Sequence, residues 1–268
     1  MGFDTDIALR DAGNAAFDLD VPAHWRIGRG TTNGGYVAAV FTRAMERTVA
    51  DPARRPRSLT VHYLAACGAG PARVAVAVER WGRSLTTLSA RMTQAESTVA
   101  IALAAFGQAR PGLDFQHEPM PEAPPPEALS PLRFGSDAPS FPQNWEYRWC
   151  VGAQPYVRAQ EALGGGWIRS AEPRILDAAQ LAAMTDAWLP PVIALLDRAQ
   201  GIVPTVDLTI HFRASVPLPD ASAGDHSFAV FHSHVGAEGY WESDGVIWSR
   251  DGRVLAQARQ LAVFNLSR

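Results

Sequence analysis

Three polar side chains in this sequence could handle water or a proton: an aspartate in an apolar stretch, a glutamine that interrupts a strand-like run, and a threonine that opens another strand. Asp186 has Met184, Ala187, Trp188 and Leu189 as neighbours. A carboxylate buried there must find partners or be neutralised, and perturbed carboxylates are the groups acid–base catalysis draws on. From that segment alone, a solvent-facing carboxylate at a fraying helix end is the commoner arrangement. Gln260 interrupts the run from Ala256 to Phe264. Its amide can both donate and accept, although an exposed place on an alternating strand explains it equally well. Thr205 follows Pro204 at the start of a β-rich segment, where threonine is usually just a strand former.

The elements that would position these residues come as a repeat. Ser58-Leu59-Thr60-Val61-His62-Tyr63-Leu64-Ala65 returns as Asp207-Leu208-Thr209-Ile210-His211-Phe212-Arg213-Ala214, with Leu59 and Leu208 separated by 149 positions. A long apolar helical stretch precedes each copy, and alternating strands ending in Phe106 or Phe264 follow it. This is a duplicated supersecondary unit, and the seam of such a pair is where small-molecule sites form. In the first half, Asn33 can cap a buried helix beginning Gly34-Gly35-Tyr36, and antiparallel strands are expected at 58–65, 73–80, 85–92 and 99–106. In the second half, strands are expected at 144–156 and 167–169, and a helix over 176–189, with Asp177 in its first turn and Pro190-Pro191 halting it. Strands follow at 205–214, 228–235, 239–249 and 253–265. Nine prolines crowd 111–142, a segment unable to hold a ladder or a helix. The expected division is a module over 1–110, a linker over 111–142 and a module over 143–268, each module being one helix on one antiparallel sheet, an α+β architecture.

Composition narrows the partners. With 268 residues, 47% hydrophobic and 19% charged, the chain can bury one large core or two packed ones. A formal net charge of −3 and the lack of any basic run argue against nucleic acid. All 24 basic residues are arginine, which codon usage explains more readily than function, although guanidinium forks suit phosphates. Cys67 and Cys150 stand at unrelated positions without metal-ligand spacing, so neither a metal nor another cofactor is expected and a reducing cytoplasm fits. The first residues lack a signal-like pattern and no stretch reaches the roughly 18 apolar residues of a membrane span. Gly28-x-Gly30-x-x-x-Gly34 has the wrong spacing for a dinucleotide fingerprint. His226, His232 and His234 lack the carboxylate or thiolate that would complete a ligand set. Six of the tryptophans, Trp145, Trp149, Trp167, Trp188, Trp241 and Trp248, fall in the second half as core residues or as lining for an apolar tunnel.

From about Gly34 onward the chain resembles the acyl-CoA thioesterase II family, the TesB-like double-hotdog thioesterases. The residues that carry the resemblance are Gly34-Gly35-Tyr36-Val37-Ala38-Ala39, Ser58 to Leu64, Gly82-Arg83-Ser84, Thr185-Asp186 with Leu189-Pro190, Thr205-Val206-Asp207, and Gln260. The resemblance implies a double hotdog fold, an acyl-CoA substrate, a possible homo-oligomer, and a hydrolytic water held by Asp186, Thr205 and Gln260. It places Gly34, Gly35, Tyr36, Arg83 and Ser84 in substrate binding. The Arg-Pro-Gly that commonly follows the first repeat strand is replaced here by Ala65-Ala66-Cys67-Gly68, a departure that bears on substrate preference.

The implied reaction needs little acid help, because a thiol of pKa about 8.5 leaves readily as thiolate. Asp186 would take the proton from water or orient it, and Gln260 and Thr205 would fix its other hydrogen bonds. Backbone N–H groups at Gly34-Gly35 are candidates for the oxyanion, although a glycine pair at a helix start is more often a packing device. Two rivals stand beside this reading. A hotdog hydratase or dehydratase is suggested by His24-x-x-x-Gly28, but Asn33 replaces the proline expected after that motif and Pro190 the Gln or His expected after Asp186. A non-catalytic acyl-CoA binding protein would have no need of the Asp, Thr and Gln.

Overall fold

The structure, a computed structural model, describes residues 2–28, 30–135, 138–198 and 203–264. The chain begins with a single helical turn, α1 (Phe3–Asp6), and the strands β1 (Arg10–Asp11), β2 (Ala16–Val21), β3 (Arg26–Ile27) and β4 (Thr31–Thr32). The helix α2 (Gly34–Val49) follows, then β5 (Arg55–Tyr63), β6 (Gly70–Trp81), β7 (Leu85–Gln94) and β8 (Ser97–Gly107). The second half opens with β9 (Trp145–Gly152) and β10 (Ala162–Ser170), continues with the helix α3 (Ala178–Met184), and closes with β11 (Thr205–Phe212), β12 (Ser227–Ser233), β13 (Gly236–Ala237), β14 (Tyr240–Trp248) and β15 (Val254–Val263). Asn265, included in the last expected strand, lies outside the described residues.

All strands but β3 and β4 join one antiparallel sheet in the order β1-β2-β6-β7-β8-β5-β11-β15-β14-β12-β10-β9, with β13 on β14. The halves meet edge to edge where β5 pairs with β11, Thr60 opposite Thr209 and His62 opposite Asp207. Each half therefore covers an edge that its neighbour would otherwise leave open. The helices lie side by side in the concavity and run in opposite directions, the start of α2 meeting the end of α3 while Arg43, further along α2, reaches Asp177 at 2.7 Å. The core is continuous across the seam, with Tyr36, Val40, Phe41, Leu59, Leu88, Leu181, Leu208 and Ile210 all buried. This is the double hotdog fold, α+β, as expected.

Ahead of the first expected helix, β2 forms and pairs with β6; Phe17, Leu19 and Val21 turn inward and alternate with Ala16, Asp18 and Asp20. The second helix, expected over 176–189, stops at Met184. Asp177 caps it by accepting from Gln180 N, but past Met184 the backbone tightens into three-residue turns, Asp186 N to Ala183 O and Ala187 N to Met184 O. The freed carbonyls go to side chains: Asn33 Nδ2 donates to Asp186 O at 2.9 Å and Tyr147 Oη to Ala187 O at 2.7 Å.

Between the halves, the described part of 111–142 holds only short 3₁₀ turns and runs over the outer face of the second-half sheet. Trp167 Nε1 donates to Pro124 O at 2.8 Å and Trp248 Nε1 to Glu118 O at 3.3 Å. Gln116 bonds Val254 N and Gly252 O, and Arg250 grips Glu127 with both guanidinium nitrogens. Met120, Ala123 and Leu129 pack on the buried cluster of Trp167, Phe228, Trp248 and Val254.

Candidate active site

Asp186 stands just past the end of α3, where that helix meets the start of α2. Its Oδ2 accepts from Gly35 N at 2.9 Å and from Asn33 Nδ2 at 3.0 Å. Asn33 also caps α2, its Oδ1 accepting from Tyr36 N at 3.1 Å, so one amide ends a helix and grips the carboxylate. Both helix-start glycines are needed for the approach. A Cβ at Gly35 would fall 2.4 Å from Ala183 O, and one at Gly34 would fall 3.0 Å from both Asp186 Oδ2 and Tyr63 Oη.

Burial pushes the Asp186 carboxyl up to about 6, against the downward pull of the Gly35 N–H, the Asn33 amide and the Gly34 N–H. The positive end of α2 favours the ionised form without overcoming desolvation. Tyr63 and Tyr147 flank the group; burial first, and then the charge of Asp186, hold both phenols well above their ordinary value, so they stay protonated. Tyr63 Oη donates to Gly34 O at 2.8 Å.

Thr205 and Gln260 form a pair of their own, Thr205 Oγ1 donating to Gln260 Oε1 at 3.0 Å. Thr205 opens β11 opposite Ala262 on β15. Because Asp207 lies opposite His62 on β5, the start of β11 falls at the end of β5 that carries Tyr63. Tyr63 in turn touches the backbone of Gly34, against which Asp186 packs. Register and contacts thus bring both halves of the expected trio to one end of the helix pair.

The remaining expected site residues divide. Gly34 and Gly35 are at the site, but the Gly35 N–H is already given to Asp186, so this helix start holds the carboxylate and is not free for an oxyanion. Tyr36 is fully buried, donates to Asp6 O at 2.8 Å and packs on Trp25, and so has no surface to offer a ligand. Arg83 and Ser84 occupy the turn between β6 and β7, where their half of the sheet begins at Arg55 and Gly107. Arg54 fastens that turn by donating to Gly82 O and Arg83 O. With about 3.3 Å per strand residue, the length of β5 separates them from Tyr63 by roughly 25 Å. Asn33, Tyr63 and Tyr147 are site residues that sequence reasoning missed; Asn33 was legible only as a cap. His24 pairs with Asp6 at 2.7 Å, His226 with Glu146 at 3.2 Å, and the His232 and His234 ring centroids lie 3.9 Å apart with the rings tilted by 49°. Among the described residues no group of three or more His, Cys, Asp or Glu could hold a metal ion, and no helix is long and apolar enough to cross a membrane.

The fold is that of two fused hotdog modules, with the Asp186 carboxylate where their two helices meet. Residues 21–107 match the family model of the acyl-CoA thioesterase N-terminal domain, and residues 116–264 that of the C-terminal domain. The chain belongs to the TesB-like acyl-CoA thioesterase II family. An uncharacterized protein of Mycobacterium tuberculosis H37Rv is 27% identical over 297 residues, 97% of each chain. Among solved structures, a conserved hot dog fold protein of unknown function from Alicyclobacillus acidocaldarius is 27% identical, with a TM-score of 0.89 over 99% of this chain and 98% of that one. An acyl-CoA thioesterase II, TesB2, from Mycobacterium marinum shares the fold at 21% identity, with a TM-score of 0.80 over 99% of both chains.

Proposed function

We propose that this chain hydrolyses acyl-CoA thioesters in the cytoplasm, releasing a carboxylic acid and CoA, by means of a water held between Asp186 and the Thr205–Gln260 pair. The observation that carries the reading is the Asp186 carboxylate, pinned by Asn33 and Gly35 yet raised to about 6. A carboxylate accepts about four hydrogen bonds. Asn33, Gly35 and Gly34 account for three, which leaves a place for water. Gln260 has its Oε1 occupied by Thr205, so its N–H₂ is the face left for the same water.

In the reaction, the water donates one proton to Asp186 and accepts from Gln260 Nε2 while its oxygen attacks the thioester carbonyl carbon. The C–O bond forms, the oxyanion collapses, and the C–S bond breaks to expel the CoA thiolate. The proton on Asp186 passes to the thiolate or to solvent. A base with a pKa near 6 is ionised at neutral pH and basic enough to take the proton. No covalent intermediate and no metal is required. Arg83 and Ser84, a strand length away, take no part in the chemical step. Asp186→Asn should lower kcat by about 10²–10⁴-fold. Full turnover of acyl-CoA by that variant would refute the role of Asp186.

A further inference from the structure

The Asp186 carboxylate has a polar side and an apolar one. Toward the middle of the sheet stand Tyr63, Thr205 and Gln260. On the other side the chain continues through Ala187 and Trp188 to Leu189 and packs on β9 and β10. Tyr147 stands edge-on to Trp188 at 5.3 Å, and Trp188 leans on Trp149 at 5.3 Å. Trp188 is 5% and Tyr147 2% exposed, whereas Trp149 is half-buried and ends the row near solvent.

Beneath the row, β10 carries Gly164-Gly165-Gly166. A Cβ on Gly164 would lie 3.3 Å from Trp149 Cζ2 and Cη2 and 3.3 Å from Trp188 Nε1. The two indoles therefore rest directly on strand backbone, at the close packing of a protein interior, with no gap for an alkyl chain between. Trp188 Nε1 is buried and finds no hydrogen-bond partner among the described residues, so the ring is held by packing, against Tyr147, Trp149 and Gly164 among others.

An acyl chain is apolar, and with its carbonyl at Asp186 the apolar wall beside it is this row. We infer that Trp149 and Trp188 limit the length of the acyl group, making the enzyme a hydrolase of short acyl thioesters of the acetyl-to-butyryl kind in preference to long ones. The inference rests on the thioester hydrolase reading above. Rigid rings at that wall would charge each methylene beyond the limit with displacing an indole, the sort of fit that separates neighbouring homologues by about 10-fold or more.

The test is kcat/KM for acetyl-, butyryl-, octanoyl- and palmitoyl-CoA, followed with a thiol reagent, in the parent, Trp149→Ala, Trp149→Leu and Gly164→Ala. The octanoyl-to-butyryl ratio does not depend on how much of each preparation is folded. The parent should favour butyryl by about 10-fold or more, Trp149→Ala should raise the ratio by a similar factor, and Trp149→Leu should fall between. Gly164→Ala, which presses the indoles toward the acyl group, should lower butyryl relative to acetyl. A parent that cleaves octanoyl as well as butyryl, or ratios that none of the variants moves, overturns the length limit while leaving the hydrolase reading in place. No cleavage of any of the four removes the hydrolase reading and this inference with it.

Discussion

Thr60 Oγ1 lies 3.1 Å from Thr209 Oγ1 across the seam of the two modules, and the two threonines are the same residue of the repeat, 149 positions apart. The pseudo-two-fold passes between them. Cross-strand threonine pairs are worth roughly 0.2–1 kcal/mol, so the double substitution Thr60→Val with Thr209→Val should cost little. In a double-mutant cycle followed by thermal unfolding, the coupling between the two should exceed that between Thr60 and His211, which is not its strand partner. Equal couplings would show that the hydroxyl contact contributes nothing to joining the modules.

The pH profile should carry the signature of Asp186. With its carboxyl near 6, kcat/KM should rise with pH through about 6 and level off above 7, because the free enzyme needs the ionised form. In Asp186→Asn the residual rate should lose that limb. A parent profile flat from pH 5 to 8 would count against Asp186 as the base.

Stability should move the other way. The folded carboxyl titrates above its ordinary 3.8, so the fold favours the protonated acid; that contribution is fully present below about pH 4 and is lost as pH rises through about 6. Asp186→Asn should therefore unfold at a higher temperature than the parent at pH 8, by an amount equivalent to about 1–3 kcal/mol, and the gap should close toward pH 4. A gap of constant size across that range would mean that the Asp186 charge carries no desolvation cost.

Asn33→Ala removes a donor that favours the ionised carboxylate. The lower limb of the kcat/KM profile should move to higher pH, and kcat should fall. Loss of the cap should cost about 0.5–2 kcal/mol as well. A variant that loses stability without moving the limb would reduce Asn33 to a cap.

Gln260→Ala and Thr205→Ala should each reduce kcat less than Asp186→Asn, since in the proposed reaction both orient the water and neither takes its proton. Because they share one hydrogen bond, their effects should be less than additive. Strict additivity in the double variant would separate them into independent roles.

What the sequence made legible followed from short-range pattern. The paired motifs around Leu59 and Leu208 gave the duplication, and alternation gave most strands, because a half-buried strand writes its two faces into every second residue. Asp186, Thr205 and Gln260 stood out through the family resemblance more than through their own surroundings. Asn33 could not be read as a partner of Asp186, since 153 positions separate them and only the antiparallel packing of the helices joins them. The early end of α3 was equally hidden: the carbonyls that leave the helix are taken by Asn33 and Tyr147, both distant in sequence. Arg83 and Ser84 share a motif with the family, but motif order along the chain says nothing about which end of a strand faces the carboxylate.

The strap between the modules bears on how the chain can be taken apart. Its carbonyls satisfy the indoles of Trp167 and Trp248, and its apolar residues cover the cluster beneath. A fragment starting at 143 would therefore expose a sticky aromatic patch and strand two indole donors, while one starting near Gln116 would bring its own cover. The C-terminal family match also begins at 116. Residues 116–129 thus behave less as a tether than as the outermost layer of the second module, and a second half cut out with its aromatic cluster covered begins with them.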